Sequence, residues 1–267
     1  MKKTKIEWCD STWNPVTGCF NGCKYCYARR IATRFGRTEQ KELHYLERRF
    51  CDEETGKNLA YPFGFDPTMH EYRLGDPKNW NDPKNIFVCS MADLFGPWIP
   101  KGWIKEVFDA CKDAPQHNYL FLTKFPDRYT ELANAGELPR ESNFWYGSTI
   151  TSMKEKLWDG SIYFNTFASI EPLLEPLDVG IGSFGSTDWL IIGAETGYRS
   201  NKVVPEKEWV DKICKAAALT QIPVFMKDSM LPIVGRKNWR TEFPKELKHS
   251  EFTDDIIDAP IIIEAEE

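Results

Sequence analysis

Long apolar runs are missing from this chain. No segment of its 267 residues approaches the roughly 20 apolar residues that span a bilayer, which argues against a transmembrane role. A secretory leader pattern is missing too, and Cys51, Cys89, Cys111 and Cys214 are scattered without the spacing of a disulfide framework. The expectation is a reduced, cytoplasmic protein. Positive charge is in short supply: 34 Lys and Arg against 40 Asp and Glu give a formal net charge of −6. That balance argues against an extended nucleic-acid surface, because neutralising phosphates needs clustered cations. A second C-x-x-C pair, common in zinc sites, is also absent. At 42% hydrophobic the chain can bury a substantial core. A single domain is expected over residues 1–250, followed by an acidic tail at 251–267 with one apolar patch, Ile261-Ile262-Ile263.

Three cysteines do cluster. Cys19, Cys23 and Cys26 stand in Gly18-Cys19-Phe20-Asn21-Gly22-Cys23-Lys24-Tyr25-Cys26-Tyr27, with no obvious fourth ligand beside them. A structural zinc site or a fully ligated electron-transfer cluster uses four protein ligands, whereas a catalytic centre keeps a position open. Three thiolates therefore point to an iron–sulfur cluster with one open iron. Cys9 leaves an alternative standing, a four-cysteine, zinc- or cluster-stabilised nucleic-acid-binding module without turnover.

The C-x3-C-x-aromatic-C run resembles the signature of the radical S-adenosylmethionine (SAM) superfamily. The resemblance implies that Cys19, Cys23 and Cys26 hold a [4Fe–4S] cluster and that SAM chelates the fourth iron. It also implies that Tyr25 lies beside the adenine. The wider segment from Lys5 to Cys19, with Cys26-Tyr27-Ala28, resembles a phage-associated, radical-SAM-like family of obscure function, which places the protein in a bacterial or phage-infected cell. The activity implied is one-electron cleavage of SAM to methionine and a 5′-deoxyadenosyl radical that abstracts hydrogen from a substrate. Low-potential clusters reach roughly −400 to −700 mV. An electron donor such as flavodoxin or ferredoxin is implied as a partner. The substrate is a small molecule or nucleotide, with a nucleic-acid component as the other option.

The rest of the chain alternates strand and helix signals. Short apolar runs at 86–90, 119–123, 144–149, 167–170, 189–193 and 223–227 read as buried parallel strands. Helical spacing appears at 103–111 and 209–219, and helix formers run from Tyr27 to Phe50. Residues 51–85, rich in Gly, Pro, Asn and Asp, read as an irregular insertion. The fold class expected is α/β, a parallel barrel or half-barrel with functional residues at the carboxyl ends of its strands. The superfamily resemblance implies a partial (β/α)6-type barrel. Gly180-Ile181-Gly182-Ser183-Phe184-Gly185 matches the dinucleotide fingerprint in form but precedes a strand, so it is rejected.

Those strand ends carry the remaining polar candidates: Ser90 and Asp93, Lys124, Ser148 and Thr149, Glu171, Glu195, and Lys227 with Asp228. Such a mixture suits a zwitterionic sulfonium cofactor. Asp93 or Ser90 would accept from the SAM amino group, Lys124 would pair with its carboxylate, and Glu171 or Glu195 would bind ribose hydroxyls or steady the sulfonium. Tyr25, Ser148 and Thr149 complete the cofactor-binding set, and Glu171 and Lys124 are the catalytic candidates. Ordinary helix capping is the competing reading for the hydroxyls and Asp93. The basic stretch Arg29, Arg30, Arg34, Arg37, Lys41, Arg48 and Arg49 is either a solvated, salt-bridged face or a phosphate patch. Trp13 is a platform for a planar substrate, or else core.

Overall fold

Strands that are apolar on both faces can be satisfied only between two packed layers, and this chain builds its main sheet from them. The computed structural model describes residues 4–53 and 55–248; the acidic tail lies outside the described residues. Strands β1 (Ser11–Trp13), β2 (Val16–Thr17), β3 (His44–Leu46), β4 (Thr68–His70) and β5 (Asn85–Val88) come first. They are followed by β6 (Asn118–Thr123), β7 (Phe144–Thr149), β8 (Asn165–Ile170), β9 (Trp189–Ile192) and β10 (Val224–Met226). Seven of them form one parallel sheet in the order β1-β5-β6-β7-β8-β9-β10, curled into a half-barrel. Each strand after β1 joins the same edge, so all seven carboxyl ends share one rim. The six strands expected from sequence are all present in it.

Helices α1 (Tyr27–Phe35), α2 (Lys101–Lys112), α3 (Asp127–Asn134), α4 (Lys207–Leu219) and the single turn α5 (Leu231–Val234) complete the chain. On α2, Trp103, Ile104, Val107, Phe108 and Cys111 form one buried stripe against β5 to β7. On α4, Val210, Ile213, Cys214 and Ala217 do the same near β8 to β10. The crossovers from β7 to β8 and from β8 to β9 contain no α-helix. Pro172, Pro176 and the glycines at 180, 182 and 185 interrupt any helix in the second of them. Leu173, Leu177 and Phe184 cover the sheet there instead.

The concave face is filled from below. Register pairs Phe87 with Leu120, Leu120 with Trp145, Phe167 with Trp189, and Ile191 with Phe225. These side chains, with Trp8, Cys9, Phe243 and Leu247, make a continuous apolar floor. Each large side chain buried there stabilises the fold by about 1.5–3 kcal/mol. Gly147 leaves room in this layer: a Cβ at that position would meet the Phe167 ring at 2.3 Å.

Two expectations are corrected. The helix expected from Tyr27 to Phe50 ends at Phe35, because Gly36 turns the backbone out with Tyr61 O where a Cβ would stand (2.7 Å). Residues 44–46 form β3, and the 51–85 insertion supplies β4, so β2-β4-β3 make a second small sheet. This sheet braces the cysteine segment. Thr17 Oγ1 and His70 Nε2 lie 2.8 Å apart, and His70 Nδ1 lies 3.1 Å from the Tyr72 hydroxyl. Gly18 follows at φ +84, pressed so closely on the Asp66 carbonyl that a Cβ would lie 2.1 Å from its oxygen.

Two outcomes are expected. Gly147→Ala costs about 1–3 kcal/mol in urea unfolding through overpacking, whereas Gly180→Ala, with nothing within 4 Å, is neutral. Burial, aided by the Arg73 charge, depresses the His70 pKa to about 3. Unfolded histidine titrates near 6.5, so stability present above about pH 6.5 is lost as pH falls towards 3, at up to about 1.4 kcal/mol per pH unit. Urea unfolding at pH 7, 6 and 5 should show this slope in the parent and a shallower one in His70→Gln. Equal slopes would remove His70 from the account.

Candidate active site

A parallel sheet gathers its strand ends, so residues distant in sequence meet at the rim. There a cavity of about 290 Å³ is lined by Cys19, Cys23, Cys26, Tyr25, Ser90, Asp93, Lys124, Thr149, Glu171 and Glu195. Every sequence-nominated cofactor, catalytic or metal residue is in it except Ser148. That hydroxyl lies one residue out of phase, is 2% exposed, and accepts from the Trp158 amide at 3.0 Å. Of the two readings of Trp13, core holds: it is buried, with Nε1 donating to Arg73 O at 2.8 Å.

The cysteine segment is held from both sides. Gly18 N donates to Met91 O and Cys19 N to Phe65 O, each at 2.9 Å. Cys19 Sγ accepts from the Asn21 amide, and Cys26 Sγ, the N-cap of α1, from the Arg29 amide, both at 3.3 Å. In the metal-free chain burial dominates, pushing the Cys19 thiol up to about 12, with Asp93 and the other two cysteines adding to it. Burial also raises Cys23, against the pull of Lys124. Among the described residues, no three His, Cys, Asp or Glu side chains converge where one metal ion could sit.

Cys9 lies apart. It is 5% exposed, packs in the floor with Trp8 and Phe87, aims its thiol at Ile6 O (3.8 Å), and does not line the cavity.

Two charged residues of the cavity wall each have a buried side-chain atom without a hydrogen-bond partner. Lys124 Nζ is buried with no hydrogen-bond partner, 5.1 Å above the Tyr25 ring. Glu195 pairs through Oε1 with Arg199 Nε at 2.5 Å, leaving Oε2 buried and unbonded. Glu195 is ion-paired with Arg199, and Lys124 lies near the Asp93 carboxylate and Cys23, so what each lacks is a hydrogen bond, which a ligand with an acceptor and a donor would supply. Asp93 is a brace: its carboxylate accepts from Thr123 Oγ1 (2.7 Å), Lys124 N (3.0 Å) and Phe95 N (3.2 Å). Burial raises its pKa, and those same bonds oppose the rise. Ser90 Oγ meets Asn14 Oδ1 at 3.1 Å, and its carbonyl accepts from the Tyr27 hydroxyl at 2.6 Å.

Also in the cavity wall, Glu171 forms an ion pair with Lys227, beside Glu7. Burial would lower the Lys227 pKa, but the charge of Glu171, its hydrogen bond to Lys227, and Glu7 overcome it and raise it. Gly193 makes room for the pair: a Cβ there would lie 3.0 Å from Glu171 Cγ and from Lys227 Cδ.

Sequence reasoning missed Glu7, Tyr198 and Arg199 as site residues, and read Arg30 only as part of a basic run. Arg30 stacks on Tyr198 at 4.2 Å, and the Tyr198 hydroxyl donates to Lys24 O at 3.2 Å. This contact ties the loop after β9 to the cysteine segment. Of the basic run, Arg29 pairs with Glu39 at 2.7 Å and Arg37 pairs with Asp52, as in a salt-bridged face, whereas Arg30 and Arg34 lie over aromatic rings.

Fold and site together define an α/β half-barrel with a thiol-lined, charge-bearing pocket at the carboxyl rim of its sheet. The chain belongs to the DUF5131 family, described as a protein of unknown function, whose sequence pattern matches residues 3–234. No curated protein and no solved structure matches the chain.

Because Lys124 Nζ is orphaned, Lys124→Met should leave the fold as stable as the parent or up to about 2 kcal/mol more so. A thermal melt showing clear destabilisation would mean that the ammonium is already satisfied without ligand.

Proposed function

We propose that this chain is a radical SAM enzyme and that its half-barrel is of the radical SAM kind. The observation that carries the reading is the meeting of the Cys19, Cys23 and Cys26 thiols, in one cavity, with two oppositely charged side chains that each keep an atom without a hydrogen-bond partner. The three cysteines would hold a [4Fe–4S] cluster. A bound cluster with SAM supplies reductive cleavage of the sulfonium and a carbon radical that abstracts hydrogen.

The chain's own residues bind and orient. Lys124 pairs with the ligand carboxylate, and its Tyr25 neighbour offers a ring face. Glu195 Oε2 accepts from a ligand hydroxyl or amine, with Arg199 holding the other oxygen. Thr149 adds a hydroxyl at the wall. Glu171 and Lys227, paired in the same cavity, would hold or move a proton at Glu171 Oε1 or Lys227 Nζ. Asp93 positions Lys124 through its backbone amide. Trp8 and Phe87 line the inner wall and help keep water from the reacting carbon. The substrate is a small molecule or nucleotide, or a nucleic-acid component, and the setting is the cytoplasm.

Anaerobic reconstitution with iron and sulfide should load about four irons per chain. Addition of SAM and a strong reductant should then yield 5′-deoxyadenosine. Cys9→Ala should retain the iron, and Cys23→Ala should lose most of it. A fully loaded chain that never cleaves SAM, or a Cys9→Ala variant that loses its metal, would sink the proposal.

A further inference from the structure

The loop leaving β9 meets the cysteine segment across the cavity. Thr196, Tyr198 and Arg199 line the cavity from the β9 side, and Cys23 and Arg30 line it from the other. β9 is the sixth strand of the sheet and β1, which leads into the cysteines, is the first, so no strand pairing joins the two sides. Tyr198 joins them instead. The Arg30 guanidinium lies over its ring at 4.2 Å, and its hydroxyl donates to Lys24 O at 3.2 Å. Among the described residues, 196–204 make backbone–backbone hydrogen bonds only within their own turns, from Ser200 N to Gly197 O at 3.1 Å and from Lys202 N to Arg199 O at 2.9 Å. The Tyr198 residue is 62% exposed, so burial adds little and the two side-chain contacts carry the attachment to the far wall.

We infer that residues 196–204 form a strap across the cavity mouth, latched by Tyr198, which opens to admit and release the ligand, an assignment that rests on the reading of this cavity as a ligand site and adds control of access to it. One exposed cation–π contact and one neutral hydrogen bond favour the latched form by only about tenfold, so the strap holds without being locked. The sheet beneath need not change when it opens, because the strap shares no ladder bond with it. Latching also sets the site. Arg199 Nε, carried on the strap, holds Glu195 Oε1 at 2.5 Å and so fixes the carboxylate whose Oε2 has no partner. An open strap widens the mouth and frees Glu195 together, whereas a latched one shields the ligand from water and holds that carboxylate in place.

The test follows alkylation of the reduced, metal-free full chain by N-ethylmaleimide at fixed pH, cysteine by cysteine, with peptide mass spectrometry. Cys19 and Cys23 report the cavity, Cys51, exposed and outside it, is the internal standard, and Cys111, fully buried under α2, reports unfolding. Tyr198→Ala should speed alkylation of Cys19 and Cys23 about tenfold. Tyr198→Phe, which keeps the ring and loses the bond to Lys24 O, should speed it about threefold. Neither should alter Cys51 or expose Cys111. Equal cavity rates in the parent and Tyr198→Ala overturn the strap. A rise in Tyr198→Ala that Cys111 shares is unfolding, and Tyr198→Phe then decides, an unchanged cavity rate there overturning the latch. The ligand assignment fails separately: a chain whose cavity thiols are unmasked by Tyr198→Ala, but which never cleaves SAM once loaded with cluster, keeps the strap and loses the radical SAM reading.

Discussion

The pairing of β1 with β5 is the constraint on which the pocket depends. Ser11, Thr12 and Trp13 register with Ile86, Phe87 and Val88, so the loops leaving both strands emerge side by side. Asn14 then locks them: its Oδ1 accepts from Met91 N at 2.9 Å and lies 3.1 Å from Ser90 Oγ. At the opposite end of the strands Asp10 Oδ2 accepts from Asn85 N at 2.6 Å. Without this lock the cysteine segment has no fixed height against Asp93 and Lys124. With it, the thiols and the first charged residues of the rim are placed by backbone geometry.

The pocket keeps features that a pure folding criterion would remove. Lys124 Nζ and Glu195 Oε2, both without hydrogen-bond partners, and a buried Asp93 all oppose stability. The aromatic floor beneath, with Trp8, Trp145, Phe167 and Trp189, offsets them and keeps the rim from collapsing onto its charges. Preorganised, poorly solvated charge is what a site needs if ligand binding is to supply the missing partners.

The strands were legible because buried parallel strands read as short apolar runs, and the rim because polar residues followed each run. Other features depended on information that the linear pattern lacks. Ser148 and Thr149 are adjacent hydroxyls in a strand of period two, and only sheet register decides which faces inward. The end of α1 at Phe35 follows from Tyr61 packing on Gly36, a contact made by a segment that read as irregular. Glu7 precedes any strand signal, and the Arg30–Tyr198 stack joins two loops far apart in the chain. Cys9 stood open as a fourth ligand because spacing alone cannot show that its thiol points into the floor.

The account's central claim is that the three-cysteine wall presents one open metal position to a charged ligand held by this pocket. The most direct measurement is the electron paramagnetic resonance spectrum of the anaerobically reconstituted, reduced protein, recorded with and without SAM. The account predicts a reduced [4Fe–4S] signal that changes when SAM is added, because the open iron gains a ligand. A signal indifferent to SAM, or a loaded protein holding zinc with no such signal, would contradict it.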